Sequence, residues 1–328
     1  MTHLIEIKKP VDTLNIYWTI TDFCNFKCSY CPSKLHSGLF ARKIKPGAPS
    51  DAEIETFIDR VLNVHLMGRF LNMTLSGGEP TLHPMFKTII ERMGPHGSIE
   101  VVTNGSRSVE WWQDMKVLPN KITISLHPEF SNLEKINELG LFLKDNGVDL
   151  SFNLMCDPKN WDWVTNVKQL LNERLHGHIN AKILTDHSGT ISDGTPYEYY
   201  EQQLDFINNQ QSTVATNTDP RKHTFAIYSD GAQTGLNAFK LVANKQNSFK
   251  GWACSAGYAG LKIGFNGQVF AGICEVAGLG RLDKFNLVDK EIVCTRIWCK
   301  AAGDLTLSKR LLDTSVGNPD LAHSYSST

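Results

Sequence analysis

The sequence lacks the features that would place this protein in a membrane or hold it on nucleic acid by charge. No apolar run approaches the length of about 18 residues that predicts a membrane-spanning helix. The N-terminal residues contain no apolar signal-peptide core, so we expect a cytoplasmic protein. The 33 basic and 34 acidic residues leave a formal net charge of −1. No global basic field therefore favours bulk binding of nucleic acid.

Cysteine is absent from long parts of the chain and grouped where it occurs. The chain has 8 cysteines in 328 residues, and none lies between Cys31 and Cys156. All but Cys156 fall into two groups with the spacing of metal ligands: Cys24, Cys28 and Cys31, and then Cys254, Cys274, Cys294 and Cys299. In a chain of this length without a secretion signal, metal binding explains such groups better than disulfides do.

The first group follows the apolar run Leu14–Ile20 and has the pattern C-x3-C-x2-C. A strand followed by a tight loop can turn three such thiolates toward one point. A 4Fe-4S cluster normally takes four thiolates, so a cluster here would have one open iron for a substrate or cofactor. Two alternatives stay open, namely a zinc site with His36 as its fourth ligand, and buried thiols without a metal.

The triplet resembles the signature of the radical S-adenosylmethionine (SAM) superfamily, which prefers an aromatic residue, here Tyr30, before the last cysteine. The resemblance implies that SAM chelates the open iron. It implies that one electron from the cluster cleaves SAM to methionine and a 5′-deoxyadenosyl radical, which takes hydrogen from the substrate. It also implies clusters that are sensitive to oxygen and an external reductant such as flavodoxin or ferredoxin.

A second loop, Ser76-Gly-Gly-Glu-Pro80, follows the next predicted strand. Gly77 and Gly78 allow the backbone to approach a ligand closely, and Glu79 can accept charge-assisted hydrogen bonds from an ammonium group. The loop resembles the Gly-Gly-Glu-Pro loop that binds the amino group of SAM in this family. The alternative is a simple turn with a solvated glutamate.

Further site residues follow from the resemblance. Ser125 and Asn153 correspond to positions that contact the ribose and carboxylate of SAM, and Thr103 and Asn104 are expected on the substrate side. Many relatives have Ser-Leu-Asp near the end of the fourth strand, whereas this chain has Ser125-Leu-His127. The departure at His127 puts the polar partner there in doubt.

Cys156 follows the fifth predicted strand and belongs to neither cysteine group. A thiol at the mouth of a barrel could return a hydrogen atom to a substrate radical, as in some redox-neutral reactions of the superfamily. The alternative is a small buried hydrophobic residue, which free cysteine often is.

Segments of strand and helix character alternate through the first two thirds of the chain. The predicted strands are Leu14–Ile20, Leu71–Leu75, Ile99–Thr103, Lys121–Leu126, Asp149–Met155 and Ile179–Leu184. The predicted helices are Asp51–His65, Pro84–Met93, Ser108–Lys116, Ser131–Asn146, Trp161–Leu175 and Tyr197–Asn208. Such units predict an α/β fold with a parallel sheet, and they are too few for a closed eight-fold barrel. The family resemblance implies an open, partial (β/α)6 TIM-like barrel with its site at the carboxyl ends of the strands.

We expect a radical SAM core at 1–210, a polar linker at 211–223 and a small, β-rich, cysteine-containing domain at 224–328. In that domain Asn266-Gly267 lies between alternating apolar residues and predicts a hairpin. The segment 34–50 is an insertion whose cationic side chains could hold a phosphate or carboxylate or form a solvated face: Lys34, His36, Arg42, Lys43 and Lys45.

The second cysteine group lies in this C-terminal domain. Four thiolates suit an auxiliary iron–sulfur cluster or an all-cysteine zinc site. The segment resembles the SPASM/twitch modules that carry auxiliary clusters in part of the superfamily. The resemblance covers Leu14–Leu184 as the core and Trp252–Lys300 as the module.

The sequence therefore predicts a radical SAM enzyme that uses a 4Fe-4S cluster, SAM and an auxiliary 4Fe-4S cluster. Its substrate would be a small molecule, a nucleotide or a peptide. The competing class is a non-enzymatic protein, either an iron–sulfur electron carrier or a zinc-held interaction module. The unbroken Gly-Gly-Glu loop argues against that class.

Overall fold

The computed structural model describes residues 2–9, 12–31, 47–186, 195–211 and 223–312. The chain forms two compact units. The large unit contains Ile16–Thr216 and Ile263–Gly267, and the small unit contains Met1–Asn15, Asn217–Lys262 and Gln268–Thr328. The cationic side chains of the predicted insertion, His36 among them, and most of the predicted linker lie outside the described residues.

The elements alternate between strand and helix in the large unit and are mostly short strands in the small one. The strands are β1 (Leu4–Lys8), β2 (Thr13–Thr21), β3 (Phe70–Gly77), β4 (Gly97–Thr103), β5 (Lys121–Leu126), β6 (Asp149–Cys156), β7 (His178–Ile183), β8 (Thr185–Asp186), β9 (Thr195–Pro196), β10 (Phe225–Tyr228), β11 (Gln233–Gly235), β12 (Ala253–Cys254), β13 (Gly260–Ile263), β14 (Gln268–Ala271), β15 (Gly278–Arg281), β16 (Ile292–Val293) and β17 (Lys309–Arg310). The α-helices are α1 (Asp51–Arg60), α2 (Phe86–Met93), α3 (Val109–Gln113), α4 (Leu133–Asp145), α5 (Trp161–Leu170), α6 (Glu201–Gln211), α7 (Ala238–Ala243) and α8 (Ala302–Leu305).

The sheet of the large unit runs in the order β2-β3-β4-β5-β6-β7. Strands β3 to β7 pair in parallel with their neighbours in sequence. The apolar faces of these strands supply the core, in which Trp18 of β2 meets Phe57 of α1 edge to face at 5.0 Å. Parallel pairing in chain order confirms the predicted α/β architecture and brings the carboxyl ends of the strands to one edge. The barrel-like curvature stays a prediction.

The helix boundaries follow from local chemistry at the ends of each segment. Ser50 caps α1 through a capping box, in which its hydroxyl accepts the Glu53 N–H while the Glu53 carboxylate accepts the Ser50 N–H. The predicted helices Asp51–His65 and Trp161–Leu175 are helical throughout, but their last five residues form π-helical turns at Val61–His65 and Leu171–Leu175. The helix predicted at Ser108–Lys116 is shorter, at Val109–Gln113.

The small unit contains a six-stranded sheet in the order β11-β10-β1-β17-β12-β16. Strand β1 lies between β10 and β17 and pairs antiparallel with both. The N-terminal strand thus joins the C-terminal unit, whereas the sequence predicted residues 1–210 as one domain. The local sequence does not indicate this pairing, because the partner residues are far apart in the chain: Leu4 lies opposite Tyr228.

The Asn-Gly hairpin is present, with β13 and β14 on either side of Gly264–Gly267 and Gly267 at a φ of +77°. The separate β8–β9 pair belongs to the large unit. Of the helices in the described ranges, none is long and apolar enough to cross a membrane.

Candidate functional site

Three cysteines meet at the carboxyl edge of the large unit's sheet. Cys24, Cys28 and Cys31 follow β2 in one loop, and the Cys31 N–H donates to the Cys28 carbonyl at 3.0 Å to form its turn. The three side chains line a cavity of about 160 Å³. The other lining residues come from the ends of β3, β4 and β5 and from the cysteine loop: Phe26, Gly77, Gly78, Val102, Thr103, Asn104, Ser125 and His127. We call this the three-cysteine site.

The electrostatics of the loop keep its thiols protonated in the absence of a metal. Burial raises the pKa of Cys28 to about 12 and that of Cys31 to about 11, and it also raises the pKa of Cys24. Neighbouring thiolates add to the rise in the pKa of Cys28 and of Cys31, because like charges repel. A bound metal replaces the protons with positive charge, so this donor set fits an iron–sulfur cluster.

The Gly-Gly loop lies against the backbone of the cysteine loop. The Gly78 N–H donates to the Thr21 carbonyl at 2.9 Å, and the Glu79 N–H donates to the Phe23 carbonyl at 2.7 Å. A Cβ atom on Gly77 would lie 2.3 Å from the Thr21 oxygen, and one on Gly78 would lie 2.2 Å from the Phe23 oxygen. Only glycine permits this approach.

Glu79 does not line the cavity, although the sequence predicted it to face the ligand. Its carboxylate is fully buried and accepts four hydrogen bonds from its own chain. The donors are the Thr81 N–H at 3.0 Å, the Thr81 hydroxyl at 2.6 Å, the Thr103 hydroxyl at 2.8 Å and the Asn104 N–H at 2.6 Å. Burial raises the pKa of Glu79, and these donors act against that shift. Glu79 therefore ties the ends of β3 and β4 together behind the cavity wall.

The segment after β5 holds the cysteine loop in a way that the sequence did not reveal. Glu129 accepts the Ser29 N–H at 3.0 Å and the Ser29 hydroxyl at 2.5 Å. Phe130 stacks on Phe26 with ring centroids 5.2 Å apart. The unusual His127 was the one signal in the sequence that this segment differs from relatives.

His127 connects this segment to the thiols. Its Nδ1 lies 2.9 Å from the Tyr30 hydroxyl and 3.4 Å from the Cys28 sulfur. Burial lowers the pKa of His127 to about 4, so the ring is neutral near pH 7. Tyr30 stacks on the ring and lies outside the cavity lining. The predicted contact of Tyr30 with a cofactor has no direct support in this arrangement.

The remaining predicted positions divide between the cavity and the core. Ser125 lines the cavity, and Asn153 donates from its Nδ2 to the Ser125 hydroxyl at 3.3 Å, so Asn153 reaches the site through Ser125. Asn104 lines the cavity and donates from its Nδ2 to Asn25 at 2.9 Å.

Cys156 is buried on the apolar face of β6 that also carries Leu154, and its thiol points to the Leu154 carbonyl at 3.5 Å. Cys156 is not among the residues that line the cavity, and its role as a hydrogen donor stays a prediction.

The second cysteine group also converges, within the small unit. Cys254, Cys274, Cys294 and Cys299 line one small cavity together with Asp304 and Lys309. We call this the four-cysteine site. Burial raises the pKa of Cys254, and it raises that of Cys274 and of Cys299 to about 12. Among the described residues, no three His, Cys, Asp or Glu side chains at either cavity are arranged to hold a single metal ion.

Backbone hydrogen bonds fix the loops of the four-cysteine site. The Cys294 N–H donates to the Trp252 carbonyl at 2.8 Å, and the Cys299 N–H donates to the Asn247 carbonyl at 2.9 Å. The Arg296 guanidinium donates to the Glu275 carbonyl at 2.6 Å and so links the loops of Cys294 and Cys274. Four thiols held in this way, three of them buried and that of Cys274 partly exposed, are a donor set that fits an iron–sulfur cluster.

Asp304 orients the Cys274 loop. Its buried carboxylate accepts the Ile273 N–H at 2.8 Å and the Cys274 N–H at 2.6 Å. Asp304→Ala would leave both donors without an acceptor, and we expect a loss of about 2–4 kcal/mol in the stability of the small unit. Limited proteolysis with mass spectrometry should show faster cleavage within residues 223–312. The exposed Asp289→Ala is the control, and equal cleavage of the two variants would contradict this role for Asp304.

Residues 18–139 match the family model of the Radical SAM superfamily. The chain therefore contains a radical SAM domain. Among curated proteins, the chain is similar to the GTP 3′,8-cyclase of Aquifex aeolicus, with 24% identity over 323 residues that cover 90% of this chain and 91% of that protein. The similarity to the radical SAM family model concerns residues 18–139, and the curated relatives are similar to the chain at 24–29% identity.

Other matches are shorter or concern the fold alone. The GTP 3′,8-cyclase of Mannheimia succiniciproducens is 29% identical over 149 residues, which cover 42% of this chain and 40% of that protein. The chain thus spans less than half of the length of this curated relative. Among solved structures, Streptococcus suis SuiB bound to S-adenosylmethionine has a TM-score of 0.52 at 14% identity, covering 83% of this chain and 64% of that chain. At this identity the likeness shows the fold.

Proposed function

We propose that this protein cleaves SAM reductively at a 4Fe-4S cluster held by Cys24, Cys28 and Cys31. The observation that carries the proposal is the cavity that these three thiols share with Gly77 and Gly78. Two motifs separated by 45 residues in the chain are brought to one place, as SAM binding at an open iron would require. When bound, the cluster would supply the electron that splits SAM into methionine and a 5′-deoxyadenosyl radical.

The residues of the cavity have separate roles in this proposal. Gly77 and Gly78 let the Gly-Gly loop lie against the backbone of the cysteine loop, and both line the cavity that would take the methionine part of SAM. The Ser125 hydroxyl, steadied by Asn153, offers a hydrogen bond to the ribose or carboxylate. Glu79 keeps the Gly-Gly loop in place from behind. Phe26 and Val102 form an apolar wall that limits the access of water to the reacting centre.

The four-cysteine site would hold an auxiliary 4Fe-4S cluster in a SPASM/twitch-like domain. Four thiols that line one cavity, three of them buried, support this part of the proposal. Such a cluster would relay an electron or anchor the substrate. Flavodoxin or ferredoxin would serve as the external reductant. A cytoplasmic setting and sensitivity to oxygen are expected of a protein with these clusters.

A purine nucleotide is the substrate class that the relatives suggest. The curated relatives described above are named GTP 3′,8-cyclase, which makes a purine nucleotide the first substrate to test. A different small molecule or a peptide remains the alternative if nucleotides do not react.

The test is an anaerobic assay of the full chain after reconstitution with iron and sulfide. With SAM and dithionite, we expect 5′-deoxyadenosine and methionine in chromatography with mass spectrometry. Adding GTP should increase the amount of 5′-deoxyadenosine and consume GTP if the substrate is this nucleotide. A protein that carries iron and binds SAM but yields no 5′-deoxyadenosine would contradict the proposed function. A protein that carries zinc in place of iron at both sites would favour the zinc-held interaction module.

A further inference from the structure

Lys309 places a buried ammonium group at the wall of the four-cysteine site. It lies on β17 directly opposite Cys254 of β12, so the two side chains are cross-strand neighbours. Its residue is only 2% exposed, and it lines the same cavity as the four cysteines. A lysine is rarely buried to this extent unless an anion accompanies it.

The groups that contact the Lys309 ammonium are neutral. The Nζ donates to the backbone carbonyl of Asp304 and, at 3.1 Å, to that of Leu307. The Phe249 ring lies 5.3 Å away. The Asp304 carboxylate instead accepts the two backbone N–H groups of the Cys274 loop. No described carboxylate lies within ion-pair distance of Lys309.

The negative charge that would balance the Lys309 ammonium would come from thiolates and a cluster in the cavity. The Lys309 ammonium lines the same cavity as the four thiols and lies across the strand pair from Cys254, so thiolates formed there would lie beside its charge. Four thiolates outweigh the positive charge of an iron–sulfur core, and each added electron makes the group more negative. A fixed cation beside such a group attracts the reduced form more strongly than the oxidised form.

We propose that Lys309 is the fixed counter-charge of the four-cysteine site and raises the reduction potential of the cluster held there. The inference rests on the auxiliary cluster of the proposed function. The two backbone carbonyls hold the ammonium in place, so Lys309 is a positioning residue that acts on the cofactor through its charge. Net charge and the surroundings of the sulfurs are the means by which proteins set the potential of these clusters.

The experiment measures the auxiliary cluster alone, in full-length protein whose Cys24, Cys28 and Cys31 are all alanine. Iron content is determined first, and the potential is then obtained by anaerobic titration followed by electron paramagnetic resonance. We expect Lys309→Met to make reduction roughly tenfold less favourable, a shift of about 59 mV to more negative potential for one electron. Lys309→Arg keeps the charge and should stay near the parent value. Lys250→Gln removes an exposed charge from the same unit and should have no effect.

The outcomes separate this inference from the proposal on which it rests. A parent protein without iron would refute the auxiliary cluster itself. An iron-containing Lys309→Met protein with unchanged potential, or an equal shift in Lys309→Arg, would overturn the inference, because packing and not charge would then be the cause. If Lys309→Met holds no iron, the test becomes the rate at which a chelator removes iron from Lys309→Arg. Iron loss at the parent rate would support the counter-charge, and faster loss would overturn it.

Discussion

Replacing Cys24, Cys28 and Cys31 together by alanine is expected to abolish the formation of 5′-deoxyadenosine from SAM. The Gly-Gly loop lines the same cavity as these three thiols, and among the described residues of its lining they are the only cysteines. Without them no iron would stand beside that loop, and the electron that cleaves SAM would have no route to it. Product should fall to the level of a protein-free control, and iron should fall by about one cluster's worth.

The matched control for this variant is Cys156→Ala. Cys156 is a buried thiol of the same unit that lies outside both cysteine sites, so its loss should cost some packing energy but leave the yield of 5′-deoxyadenosine and the iron content near those of the parent. The triple variant would contradict the proposed site if it still produced 5′-deoxyadenosine at the parent rate.

Glu79→Ala is expected to have the second largest effect, mainly on stability. Its carboxylate accepts hydrogen bonds from Thr81, Thr103 and Asn104, and two of the four donors are backbone N–H groups in the buried interior. Removing the acceptor should cost about 3–5 kcal/mol, because each orphaned donor carries a desolvation penalty. Glu79→Gln should lower the stability by less, about 1–3 kcal/mol. The glutamine amide keeps one acceptor oxygen, but its NH2 group would face hydrogen-bond donors.

Unfolding in denaturant and SAM titration of the reconstituted protein would together identify the role of Glu79. Thr103→Val removes one of the four donors and should cost about 1 kcal/mol, while Glu55→Gln removes a carboxylate from a surface ion pair and should cost less. If Glu79→Gln weakens SAM binding without a loss of stability, the side chain contacts the ligand directly and the role as a buried tie is wrong. Parallel losses of both would support the tie.

The sequence predicted the strands of the large unit well because each combines an apolar run with a polar motif at its carboxyl end. Lys121–Leu126 is a strand over the predicted residues, and the other strands differ by one or two residues at their ends. Both cysteine groups were also predicted to converge, because thiols at ligand spacing in a chain without a secretion signal usually bind a metal. Each group does line one cavity.

The sequence could not predict interactions between residues that are far apart in the chain. Glu79 was expected to face a ligand, since nothing local shows that Thr103 and Asn104 bring donors to its carboxylate. Nothing in the local sequence marks Lys309, because its neighbour Cys254 lies on another strand. Cys156 is different, because the alternation along β6 already placed it with Leu150, Phe152 and Leu154 on the apolar face, and that signal was available.

The position of β1 has a consequence for the order in which the protein is made. Strand β1 leaves the ribosome early, but its neighbours β10 and β17 lie more than 200 residues later in the chain. At translation rates of about 5–20 residues per second, β1 waits roughly 15–60 s for its second partner. The segments that build the three-cysteine site are complete by His127, so the large unit can begin to fold first. A chain that ends before Lys309 would therefore carry a strand β1 with one edge unpaired and open to aggregation.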